Sequence, residues 1–106
     1  MTLRLIKSGL PAPDACFLIY PTVRMSAGLT TPSLIRSIED PVISYEVRTM
    51  NRKLYASEET RPNEDPFLSS IIASDELLEK LPPVRLMVGT ADPLHDDDLR
   101  FIQKLM

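Results

Sequence analysis

One cysteine, one histidine and three glycines in 106 residues are too few for several kinds of protein. Cys16, standing alone, can form neither an intrachain disulfide nor a CxxC zinc site. Three glycines leave no Gly-rich loop to cradle a phosphate, which argues against a small flavodoxin-like binding domain. No apolar run approaches the roughly 20 residues that span a bilayer, so no transmembrane segment is expected. The opening Met1-Thr2-Leu3-Arg4-Leu5-Ile6-Lys7 lacks the long apolar stretch of a signal peptide. Lys and Arg number 12 against 15 acidic residues, net charge −3, and are scattered rather than striped. Neither nucleic acid nor an anionic membrane surface is therefore expected as a partner.

What remains is ordinary for a soluble globular domain with a single core: 43% hydrophobic and 25% charged residues. Ten prolines promise short elements with firm punctuation. Cys16 lies inside an apolar run, where a buried, inert thiol is expected. The absence of disulfides fits a reducing, cytoplasmic compartment.

Along the chain, Leu3, Ile6 and Leu10 share one helical face, stopped by Gly9, Pro11 and Pro13. Residues 15–20 (ACFLIY) form an unbroken apolar run closed by Pro21, as expected for a strand buried on both faces of a parallel sheet. Residues 22–30 read as loop. Thr31-Pro32 signals a helix start, with Leu34, Ile35 and Ile38 as its apolar face. Asp40-Pro41 repeats the signal before Ile43, Val47, Met50 and Leu54, an amphipathic helix of about four turns. Residues 57–66 read as a polar surface loop. Ser74-Asp75-Glu76 caps a short helix presenting Leu77, Leu78 and Leu81. After Pro82-Pro83, residues 84–89 (VRLMVG) predict a second buried strand. Asp96, Asp97 or Asp98 is expected to cap a last helix whose Leu99, Ile102 and Leu105 or Met106 face inward.

Strands alternating with helices indicate an α/β fold with two parallel core strands and a helical insert between them. Two strands fall short of the four to six of a usual sheet, so residues 1–106 are expected to be part of a larger domain.

Chemistry concentrates in Asp92-Pro93-Leu94-His95-Asp96-Asp97-Asp98, directly after the second strand. Functional groups of open α/β sheets gather at the carboxyl ends of the strands. An acid there can orient a histidine during acyl transfer. Asp-Pro equally begins turns, and Asp caps helices, so spacing alone leaves Asp92 between catalyst and cap. Metal binding by Asp92, His95 and the following aspartates is a further option, weakened because adjacent helical residues point to different faces. Tyr20, Tyr45 and Tyr55 read as packing residues with polar tips. Met50 and Leu54 suit either a core face or an acyl-chain pocket. Ser69-Ser70 lacks the G-x-S-x-G surround of a nucleophile and reads as a turn or cap.

With these residues in hand the chain resembles the hormone-sensitive lipase family of α/β-hydrolases. Pro13-Asp14, the first strand and Tyr20-Pro21 resemble that family's sixth strand. Leu81-Pro82-Pro83-Val84, the second strand and Asp92-Pro93-Leu94 with Asp96-Asp97 resemble its strand-to-acid segment. Thr31-Pro32-Ser33 through Tyr55-Ala56, and Asp65-Pro66-Phe67-Leu68-Ser69, are similar to the helices between. The resemblance spans essentially the whole chain and implies hydrolysis of lipid or small carboxylic esters without cofactor or metal. It implies Asp92 as the triad acid. It implies further that the nucleophile elbow and oxyanion loop precede residue 1 and the catalytic histidine follows residue 106, so that His95 is not the base. The remainder of the hydrolase domain is then the expected partner, lipid-droplet association of the complete enzyme an extension, and inactivity of this segment alone the consequence. The alternative is a non-enzymatic truncated product or interaction module.

Overall fold

The computed structural model describes residues 1–25, 30–56 and 61–106. Helix α1 (Thr2–Lys7) leads to strand β1 (Cys16–Ile19), then helices α2 (Pro32–Arg36) and α3 (Tyr45–Tyr55). A 3₁₀ turn (Ser70–Ile72) and helix α4 (Asp75–Leu78) lead into strand β2 (Val84–Met87) and helix α5 (His95–Leu105). The strands pair in parallel, Cys16 opposite Val84 and Ile19 opposite Met87, as parallel strands joined by a helical crossover do. The predicted α/β order and the parallel pairing are both found.

Local signals account for most boundaries. Gly9, at φ 70°, ends α1: its N–H donates to Ile6 O, and the Leu10 N–H donates to Leu5 O at 3.0 Å. This paired closure needs the left-handed conformation that glycine adopts freely. Thr31 caps α2, its hydroxyl accepting from the Leu34 N–H with Pro32 in the first turn. Ser74 caps α4 by accepting from the Leu77 N–H.

The second proline signal is misplaced. Asp40 does not start α3; its carboxylate accepts from the N–H groups of Val42 and Ile43, holding a turn, and Ser44 is the cap. Those two backbone bonds hold the Asp40 pKa below the usual carboxylate value. No residue of α3 is buried, and Leu54 is 78% exposed. In the α2 region Leu34 alone of the expected face is buried, while Ile35 and Ile38 are exposed.

The core gathers Leu3, Val23, Ile71, Ala73, Leu78 and Phe101, with Leu18 and Leu86 packing against it from the two strands. Burial on both strand faces is not found. Exposure alternates along each strand, leaving Phe17 at 64%, Ile19 at 53% and Met87 at 45%. These helices cover one face of the sheet only, and side chains alternate across a strand with period two. Cys16, on the covered face with Leu18, is only partly buried. On α5, Phe101 rather than Leu99 faces the core, because the inward stripe runs through buried Asp98 and Phe101 to partly buried Leu105 at spacings of three and four. Lys104 ties α5 to the 3₁₀ turn, its ammonium donating to Ile71 O at 3.0 Å and Ala73 O at 2.7 Å.

Candidate active site

Asp92 sits five residues beyond the end of β2, in a turn closed by its N–H donating to Gly89 O at 3.1 Å. Its Oδ1 accepts from the Leu94 N–H at 2.8 Å. The other two Asp-Pro dipeptides do the same: Asp40 accepts from Val42 and Asp65 from Phe67, each at 2.8 Å. Proline leaves the residue after it as the first donor in reach, so Asp-Pro-X folds locally into this turn wherever it stands. Position distinguishes Asp92. Only its turn follows a strand of the parallel pair, at the carboxyl end.

The aspartates after it do not cap α5. Leu94 holds the cap position with no side-chain bond, and each carboxylate goes elsewhere. Asp96 Oδ2 accepts from the Ser33 N–H at 2.8 Å, the main reason its pKa lies below the usual value. Asp97 Oδ1 accepts from Arg24 Nε–H at 3.2 Å. Asp98 is fully buried, and neither oxygen has a hydrogen-bond partner. Burial first, then the charges of Asp92 and Asp97, pushes its pKa up to about 7. His95 Nδ1 lies 3.3 Å from Asp96 Oδ1 and makes no side-chain bond to Asp92. Among the described residues no three His, Cys, Asp or Glu side chains gather as a metal ion needs.

Ser33 carries a role that its place beside a helix cap does not reveal. It is buried, and its hydroxyl donates to Pro93 O at 3.0 Å while accepting from the Asp96 N–H at 3.4 Å. Together with the bond from its own N–H to Asp96, this clamps the start of α2 onto the Asp92 turn from 60 residues away. The sole hint in the sequence is a small hydroxyl residue after Thr31-Pro32. Ser69 is similarly committed: buried, its Oγ accepts from the Met25 N–H at 2.8 Å.

A cavity of about 580 Å³ opens beside this turn, with walls from α3, from the stretch after β1 and from Leu94. All three tyrosines line it rather than packing in the core, as does Leu54; Met50 lies outside it. Tyr20 adopts φ 47°, a conformation that non-glycine residues rarely hold, and its ring passes beside Gly89.

Two parallel strands joined by a helical crossover, with an aspartate turn at a strand's carboxyl end, make an open α/β arrangement. The sequence matches the family described as the alpha/beta hydrolase fold over residues 1–106, and the chain belongs to that family. The structure is similar to a thermostable esterase from Pseudomonas putida (TM-score 0.87, 23% identity, 98% of this chain and 32% of that one). It is similar also to an esterase of the bacterial hormone-sensitive lipase family (TM-score 0.81, 27% identity, 98% and 33%). Mouse hormone-sensitive lipase is 42% identical over 41 residues, 39% of this chain and 5% of the lipase. The chain thus spans about one third of the length of the solved esterases it resembles. No helix among the described residues is long and apolar enough to cross a membrane.

Proposed function

We propose that residues 1–106 form the acid-bearing part of a hormone-sensitive lipase-like hydrolase of carboxylic esters, with Asp92 as the triad acid. The carrying observation is the Asp92 turn: it follows β2, Leu94 occupies Oδ1, and Oδ2 has no hydrogen-bond partner among the described residues. A carboxylate so held can accept from a histidine N–H, fix its tautomer and stabilise its protonated form. The nucleophilic serine and that histidine come, in this proposal, from segments outside residues 1–106. The serine attacks the ester carbonyl as the histidine takes its proton, and the alcohol leaves carrying that proton; water then releases the acid. Lipid or small esters are the proposed substrates, in a cytoplasmic enzyme of lipid metabolism that reaches lipid droplets when complete.

The test joins residues 1–106 to nucleophile and histidine segments and compares Asp92→Asn with Asp40→Asn and Asp65→Asn, the same turn at two other places. Loss of the orienting carboxylate costs about 10⁴-fold in kcat in a serine protease triad. A comparable loss at Asp92 alone is expected. Equal, mild effects at all three positions would remove the catalytic assignment and favour an interaction module.

A further inference from the structure

The cavity beside the Asp92 turn carries an excess of positive charge in a chain whose net charge is −3. Arg24, Arg48 and Arg52 line it, and among the described residues no Asp or Glu does. Arg24 is matched by Asp97 at 3.2 Å, but among the described residues Arg48 and Arg52 form no salt bridge. Among the described residues the buried Nε–H of Arg48 has no acceptor, so nothing there offsets its desolvation. Burial lowers the Arg48 pKa, as expected of a charge held away from water without a counter-ion. The Tyr45 ring lies 5.8 Å from its guanidinium carbon, a contact that favours and orients the cation. The remaining walls include apolar Ile43, Leu54 and Leu94. Leu94 is itself bonded to the Asp92 carboxylate, so the recess adjoins the proposed catalytic acid. A volume of about 580 Å³ suits a small molecule.

We propose that this cavity selects esters bearing a free carboxylate, with Arg48 gripping that carboxylate and Arg52 reinforcing the charge. A planar guanidinium at the cavity wall matches the two oxygens of a carboxylate better than a neutral group. The inference deepens the hydrolase reading and rests on it for the word substrate; the binding itself does not. The test titrates the protein carrying these residues with monomethyl adipate and dimethyl adipate by calorimetry. These probes share their chain and differ in one free carboxylate. The monoester should bind at least about tenfold tighter, as a charge-assisted hydrogen bond allows. Arg48→Gln should reduce that preference to within about twofold, with Arg52→Gln intermediate. Should Arg48→Gln fail to fold, Arg48→Lys, which keeps the charge but loses the fork, should still weaken the preference measurably. Equal affinities, binding of neither probe up to about 10 mM, or a preference that survives at Arg48 overturns the proposal. In the completed hydrolase, a carboxylate preference without ester turnover leaves the cavity standing and defeats the hydrolase reading. Turnover without the preference defeats the cavity alone.

Discussion

Arg24 and Asp97 meet at 3.2 Å across 73 residues of chain, joining the stretch after β1 to the first turn of α5. Asp97 is almost wholly buried, and Arg24 is partly exposed. Removing one partner strands the buried carboxylate or leaves an unmatched guanidinium, so the loss exceeds that of a surface pair. Asp97→Asn should lower stability by roughly 1–3 kcal/mol in urea unfolding. A double-mutant cycle with Arg24→Met should show coupling. Additive single effects would reduce the contact to proximity.

Asp98 makes stability depend on pH. Its folded pKa, about 7, lies above the ordinary 3.8, so the folded state binds more protons than the unfolded state between these values. Stability contributed by this group is full below about pH 4 and is lost as pH rises through about 7. Asp98→Asn should flatten this slope, and removing the buried charge should raise stability above pH 7 by roughly 1–3 kcal/mol. Thermal unfolding across pH 4–8 is the measurement. An unchanged slope in the variant would assign the dependence elsewhere.

Ser33 clamps the Asp92 turn through Pro93 O and Asp96. Ser33→Ala leaves a buried carbonyl and an N–H short of their partner and should cost roughly 1–2 kcal/mol. In the proposed complete hydrolase it should lower kcat more than it raises KM, because it loosens the turn of the proposed acid without touching the cavity. Ser33→Thr, which keeps the hydroxyl, should recover part of the loss.

The segment by itself should not hydrolyse esters, since it holds no G-x-S-x-G nucleophile and its one histidine faces Asp96. Turnover of a short-chain nitrophenyl ester that vanishes in Asp92→Asn would contradict this.

Phe17, Ile19 and Met87 form an exposed apolar face on the sheet. Self-association and dye binding are the expected consequences. Phe17→Lys with Ile19→Lys should shift the sedimenting species toward monomer. A sharp, cooperative thermal transition from an unmodified monomer would show that the exposed face does not drive association.

What a short stretch of chain encodes was legible beforehand. Thr31-Pro32, Ser74 and Gly9 set helix ends through bonds spanning three to five positions, and the two apolar runs are the paired strands. The same locality explains the errors. Apolar spacing marks a face without saying what covers it: no residue of α3 is fully buried, and one face of the sheet stands exposed. Three Asp-Pro dipeptides fold into the same turn because proline dictates it locally; the sequence by itself determined that much. Which of them is gripped by Ser33 was decided by tertiary structure, because that partner lies 60 residues away in the chain and meets the turn only when the crossover packs.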